Sequence, residues 1–259
     1  MGETESDEDR YLVPGLIRGF AVLDIFTTEH QELTLSEIAR RLDLSRSAAF
    51  RTVYTLSHLG FLLHDVRRQT YALGPAVLRL GHGYMASREL VQIALPEIEK
   101  LRDQTDWSTH LGVRDGRSVL YMLRVASRMG MGSIVHVGSR LPAAATTMGR
   151  VLLTDLDEES LIALYRDEHY EHAPLGTPRN MAALLEQWRG DCTRAVVVHM
   201  GIFERGIASV AAPIRDLSGG IVGAINATHA FDTVVSPDEK VIAAVESCAR
   251  AISFHLGRR

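Results

Sequence analysis

The chain has 259 residues, a net charge of -4, 46% hydrophobic and 23% charged residues, and two cysteines. That is enough for two modest domains with real cores. No apolar run nears the roughly 20 residues of a membrane span, and Cys192 and Cys248 are too few for a disulfide framework or a C-x-x-C zinc site.

Residues 1–10, MGETESDEDR, lack the basic start and apolar core of a secretory signal. They read as a disordered acidic tail, which implies a cytoplasmic protein with no membrane partner. In residues 11–73, Pro14 precedes a first helix carrying Leu16, Phe20, Leu23, Ile25 and Phe26. Thr34 and Glu37 then form a T-x-x-E capping box for a short second helix with Leu35, Ile38, Ala39 and Leu42 as its stripe. Ser45 caps a third helix whose core side is Ala49, Val53, Leu56 and Leu59, ending at Gly60. A tight turn between two short helices, followed by β-rich segments around Asp65 to Arg68, spells a winged helix-turn-helix.

Gly74-Pro75 opens a linker helix over 74–88. From 89 to 259 the pattern is mixed. A hairpin turns at Asp115-Gly116, and strands are expected in GSIVHVGS, RAVVVHM, GIASVAAPI and GGIVGAINATHAF. Helices are expected in TTMGRVLLTDL, DEESLIALYRDEH, MAALLEQWRG and PDEKVIAAVESCARAISFHLG. The fold class is therefore α+β, with helices packed over antiparallel hairpins.

The third helix departs from a plain amphipathic pattern. Arg46, Phe50 and Tyr54 fall four apart, with Ser45, Ser47 and Arg51 beside them, away from Ala49 and Val53. A helix fits the DNA major groove, where arginine pairs with guanine, serine donates to phosphate or base, and Phe50 meets a thymine methyl. Arg67 and Arg68 at the wing turn can reach the backbone or the minor groove. Lys100 and Lys240 are the sole lysines, so the positive charge is almost all arginine, suited to bidentate phosphate and guanine contacts. The competing reading is a solvated helix face and an exposed turn.

RGFAVLDIF, LTLSEIARRLDLSRSAAFRTVYTLSHLGFL, TYALGPAVLRLG, VGSRLPAAATTMGRVLL and GIASVAAPIRDLSGGIVGAIN, in that order, resemble an IclR-family transcriptional regulator from about Val13 onward. RGFAVL and ATTMGR look closest to the branch that governs catabolism of aromatic acids such as protocatechuate and para-hydroxybenzoate. The resemblance implies a GAF-like effector domain binding a small organic acid and a homodimer or dimer of dimers on double-stranded operator DNA. It implies no cofactor. The acid would shift the linker helix and so the spacing of paired recognition helices, which must match half-sites about 34 Å apart or a multiple of it. Carried over by motif, the pocket would include Leu141, His199, Ile207, Ser209, Asn226 and Thr228.

The residues add their own reasons. Thr146, Thr147 and Met148 open a helix after a Pro142-led loop, where unpaired N–H groups favour an anion, although a threonine there can simply be a cap. Asn226 and Thr228 are polar within an apolar strand, which suits ligand recognition or a satisfied core. Trp107 stands where a small or acidic residue is usual in the family and could stack on an aromatic ring or serve as core. His110 follows it and could point into the pocket. His199 and Met200 replace an acidic run, which suggests a more acidic or less hydroxylated ligand. Histidines 110, 136, 199 and 229 lie on expected strands, and His169 and His172 sit three apart, but without metal-ligand spacing. Two other functions stay open. One is a small-molecule-binding enzyme with an appended helical domain, although common hydrolase and nucleotide motifs are absent. The other is a DNA-bound protein whose second domain only dimerises.

Overall fold

The computed structural model describes residues 11–27, 29–86, 89–128, 135–168, 176–200, 206–230 and 237–257. Two compact units divide between Met85 and Ala86.

The first unit runs α1 (Pro14–Asp24), β1 (Leu33–Thr34), α2 (Leu35–Arg41), α3 (Arg46–His58), β2 (Leu62–Asp65), β3 (Thr70–Leu73) and α4 (Ala76–Ala86), whose last residue falls at the boundary. Pro14 sits at the start of α1, where its missing N–H leaves no bond unmade. Val22, Phe26, Leu33, Ile38, Val53, Leu56, Leu62 and Tyr71 form the core. Burying each such large apolar side chain contributes about 1.5–3 kcal/mol. The expected capping box is present: Glu37 N donates to Thr34 Oγ1 at 3.3 Å, and Thr34 N donates to Glu37 Oε2 at 2.8 Å. The Glu37 carboxylate accepts from both Thr34 N and Thr34 Oγ1, and these two bonds hold it below its usual range. β1 was not anticipated; it is two residues long and completes a small sheet of order β1-β3-β2. After α3 the chain turns at Gly60 (φ +78°), and a side chain at Gly74 would strike the Gly60 carbonyl oxygen. Both glycines are thus required by the join of α3 to the wing.

The second unit runs α5 (Glu89–Thr105), β4 (Ser108–Asp115), β5 (Ser118–Val125), β6 (Arg140–Pro142), α6 (Thr147–Leu153), α7 (Glu158–Tyr165), α8 (Met181–Cys192), β7 (Val197–Met200), β8 (Ile207–Arg215), β9 (Ile221–Ala230) and α9 (Glu239–His255). The sheet has the order β6-β5-β4-β9-β8-β7, with every neighbouring pair antiparallel. The Asp115-Gly116 hairpin is where the sequence places it, with Gly116 at φ +58°. One face of the sheet meets α5 and α9: Thr109 Oγ1 donates to Ile98 O at 2.8 Å, and Leu90 lies over Gly223. The other meets α6, α7 and α8, whose Met148, Val151, Leu152, Leu161, Tyr165 and Leu184 join Val119, Tyr121, Val197, Ala211 and Ala224 in one core.

One expected strand is corrected. In GSIVHVGS, residues 135–139 form a turn around Gly138 (φ +89°), closed by Ser139 N donating to His136 O, and the strand begins only at Arg140. His136 is therefore not on a strand. The first three residues of that segment, and His169 and His172, lie outside the described residues. Cys192 and Cys248 are free thiols, and burial pushes Cys248 up to about 12.

Candidate functional site: an exposed reader helix and a buried polar sheet face

The turn between α2 and α3 places Asp43 at φ +51° and closes with Leu44 N donating to Ala39 O at 2.8 Å. Ser45 then caps α3, its Oγ accepting from Ala48 N at 3.3 Å. Ala49, Val53 and Leu56 point into the core. Ser45, Arg46, Ser47, Phe50, Arg51 and Tyr54 are all exposed, so the structure brings the expected reader residues onto the outward side of one helix. Phe50 and Tyr54 are 50% and 65% exposed, a large apolar area left to solvent. Arg46 Nη1 donates to Ser36 Oγ at 2.7 Å, tying the first turn of α3 to that of α2.

The wing turn is built by Asp65, whose Oδ1 accepts from Arg67 N at 2.8 Å and Arg68 N at 3.1 Å; both bonds lower its carboxyl. Arg67 and Arg68 are exposed at its tip. Arg68 is already paired with Glu32 at 3.2 Å. Sequence reading missed His64 and Tyr71, which face each other across β2 and β3 and stack at 4.4 Å. With Arg46, Ser47, Phe50 and Gln69 they line one groove between α3 and the wing. The signal was available: once the wing turn is placed, hairpin register sets the two rings opposite each other.

In the second unit, register fixes which residues share a face. Ser108 pairs with Thr228 and His110 with Asn226; Ser209 pairs with both Thr228 and His199. These residues, with Ile207 at the start of β8, therefore lie on the face that carries α6. His110 Nδ1 bonds Asn226 Oδ1 at 2.9 Å, and Asn226 Nδ2 donates to Ser209 Oγ at 3.3 Å. Thr228 Oγ1 donates to Ser108 O at 3.4 Å. His110 is 1% exposed, and its Nε2 has no hydrogen-bond partner among the described residues. Burial first, and then the Arg124 charge, push its imidazole down to about 4, against the opposing effect of Asn226. The half-buried His199 is pushed down to about 4 by burial and by Arg150.

Other expected residues are placed differently. Trp107 stacks on His229 at 5.5 Å, and His229 belongs to the face opposite His110 and Asn226. Trp107 precedes β4 and its ring lies against His229, so it does not join the polar cluster. Thr146 is a cap: its Oγ1 accepts from Gly149 N at 3.2 Å and donates to Pro142 O at 3.2 Å. The hydroxyl thus satisfies one backbone donor of the first turn of α6, that of Gly149. Thr147 is buried at the start of α6, and Met148 packs so tightly over Gly112 that a Cβ there would lie 2.6 Å from its sulfur. Leu141 packs on the same core from β6, three strands from β9.

A buried ion pair was also missed. Arg150 on α6 donates through Nε and Nη2 to Asp191 on α8 at 2.7 and 2.6 Å, with Arg194 at 3.5 Å from the same carboxylate. The only hint in sequence is an arginine inside the otherwise apolar TMGRVLL. Among the described residues no three His, Cys, Asp or Glu side chains gather as metal ligands, and no helix is long and apolar enough to cross a membrane.

Two family signatures match the chain: the IclR helix-turn-helix domain over residues 15–66, and the bacterial transcriptional regulator IclR C-terminal domain over residues 82–254. The Pca regulon regulatory protein of Pseudomonas putida is 34% identical over 231 residues, covering 85% of this chain and 76% of that protein. A putative transcriptional regulator from Rhodococcus sp. RHA1 is 32% identical with a TM-score of 0.78, covering 95% and 99% of the two chains. An IclR homologue from Microbacterium hydrocarbonoxydans, solved with 4-hydroxybenzoate, is 26% identical with a TM-score of 0.79, covering 94% and 99%. Fold and matches define a ligand-responsive, DNA-binding transcriptional regulator, a winged helix-turn-helix joined to a GAF-like α+β domain. The chain belongs to the IclR family, whose members are regulators and not enzymes, and the enzyme alternative falls.

Proposed function

We propose that this regulator controls a catabolic operon in response to a small aromatic carboxylic acid. The acid binds on the sheet face that carries His110, Asn226, Ser209, Thr228, His199 and Ile207. Ser45, Arg46, Ser47, Phe50, Arg51 and Tyr54 read the operator, with Arg67 and Arg68 on its backbone. The observation that carries the sensor half is the buried chain His110–Asn226–Ser209, which ends in an imidazole nitrogen unpartnered among the described residues. A core built only for stability leaves few such atoms, because each costs about 1–3 kcal/mol. The choice of an aromatic acid draws on the Pca regulon relative and on the 4-hydroxybenzoate bound to the Microbacterium homologue.

Two copies of the reader would meet two half-sites about 34 Å apart or a multiple of it. Binding on the sheet reaches the reader through the chain segment that joins the units, and a coupling of about 1–3 kcal/mol changes operator occupancy appreciably. The test is an electrophoretic mobility shift on the DNA upstream of the protein's own gene, with and without benzoate, 4-hydroxybenzoate and protocatechuate, beside a thermal-shift series. A specific shift altered by one acid, with stabilisation of about 2.7 kcal/mol at a hundred times Kd, supports the reading. A specific shift that responds to short aliphatic acids alone removes the aromatic assignment.

A further inference from the structure

We infer that His110 offers its Nε2 as a bare hydrogen-bond acceptor, so that the effector is selected for a ring hydroxyl that donates to it. This rests on the reading that an aromatic acid binds on that sheet face, and it adds which end of the acid the sheet recognises.

The polarity follows from the bonds around the ring. Asn226 Nδ2 donates to Ser209 Oγ at 3.3 Å, which turns the amide oxygen toward His110. An amide oxygen only accepts, so the proton in the 2.9 Å bond to His110 Nδ1 sits on the imidazole. The ring is neutral because it is enclosed and because Arg124, its register partner on β5, already places a cation beside it. A neutral imidazole has one N–H, and here it is used. Nε2 therefore carries a buried lone pair without a donor among the described residues. The edge-on contact with Tyr121 at 5.6 Å holds the ring plane. A carboxylate has no proton to give this atom and would meet its lone pair with like charge. A phenolic O–H supplies what is missing. His110 is thus a specificity-determining residue for the hydroxyl, and the carboxylate of the same acid is held elsewhere. The replacement of an acidic run by His199 and Met200 points to a more acidic or less hydroxylated ligand; the His110 geometry opposes the second of these for one position of the ring.

The experiment uses the full chain. Its histidine nitrogens are observed by 15N NMR, and 4-hydroxybenzoate, 4-methoxybenzoate and benzoate are titrated calorimetrically. The expected result is an unprotonated Nε2 signal that moves when 4-hydroxybenzoate is added. Binding of 4-hydroxybenzoate should be about ten- to a hundredfold tighter than that of the two acids without a donor. His110→Phe should erase that preference; if this variant fails to fold, the NMR comparison on the unaltered chain still decides. A proton on Nε2, equal binding of the three acids, or a hydroxyl preference that survives in a folded His110→Phe overturns the assignment while leaving the aromatic-acid reading intact. No binding of any of the three takes down both.

Discussion

On α3, arginine and aromatic side chains face water, while on β4 and β9 His110 and Asn226 are enclosed and bonded to each other. Both groups break the hydrophobic pattern of their element, but for different energetic reasons. An exposed Phe50 or Tyr54 forgoes burial worth about 1.5–3 kcal/mol, which natural chains accept where a partner will cover the surface. A buried polar chain risks desolvation at each atom that stays unpaired, and it persists where most of its bonds are made. The reader can therefore be altered without unfolding its unit. The polar sheet face cannot, because the groups proposed to recognise the ligand are also part of its core.

The largest expected effect tests that asymmetry on the sensor side. Asp191→Ala strands the buried Arg150 guanidinium and should destabilise the second unit by about 3–5 kcal/mol in chemical denaturation, while Arg150→Ala should cost less because Arg194 still lies 3.5 Å from the Asp191 carboxylate. The double change Arg150→Met with Asp191→Leu should be far milder, since no charge is left alone. A small loss in Asp191→Ala would break the comparison by showing that this interior tolerates unpaired charge. Acid should act next. His110 lies at about 4 in the folded chain against an ordinary 6.5, so between those values the unfolded state binds more protons. Stability then rises with pH through this window, and about 3 kcal/mol is lost as pH falls from 6.5 to 4. His199 adds in the same direction, but less, because its ring is only half-buried. Denaturation at several pH values, with His110→Gln as the reference, checks the sign; an equal pH slope in that variant would assign the loss to other groups.

How much of this was legible in sequence follows the same division. The reader could be found because its signals are local: Thr34 with Glu37, Ser45 as a cap, and the spacing of Ala49, Val53 and Leu56 are all read within one or two turns. The sensor depends on pairing over long separations. His110 and Asn226 are 116 residues apart, and nothing near either position announces the bond. Alternation correctly put Asn226 with Thr228 and Ile207 with Ser209, each within its own strand. It could not say which neighbours face α6, nor that the Trp107 ring lies against His229 while His110 joins the wall. Arg150 within TMGRVLL was a hint, but its bond to Asp191 could not be read, because a charged residue in an apolar helix looks exposed until its partner on α8 is known.

On the reader side, Arg46→Ala and Arg51→Ala should each cost about 1–3 kcal/mol of operator affinity while ligand binding and denaturation midpoints stay at the parent values. Mobility shift and calorimetry on the same preparations separate the two functions. Because Arg46 also bonds Ser36, Ser36→Ala sharpens the result. A loss of operator affinity in Ser36→Ala, with Arg46 still present, shows that positioning of the guanidinium matters as well as its charge.

The smallest expected effect lies in the wing, where two adjacent arginines differ in what they already hold. Arg68 pairs with Glu32 at 3.2 Å and approaches Asp65 at 4.0 Å, while Arg67 has no carboxylate partner among the described residues. A guanidinium that meets phosphate displaces a condensed counterion, and each such contact adds about 0.9 to the slope of log affinity against log salt. Arg67→Ala should therefore lower that slope by about 0.9, with affinity falling alike on operator and unrelated DNA. Arg68→Ala should lower it less, because removing Arg68 also leaves Glu32 facing the DNA without its cation, a repulsion that affinity at low salt will register more than the slope does. Equal slopes for the two variants would mean that DNA pulls Arg68 away from Glu32, and the wing would then use both arginines as phosphate contacts.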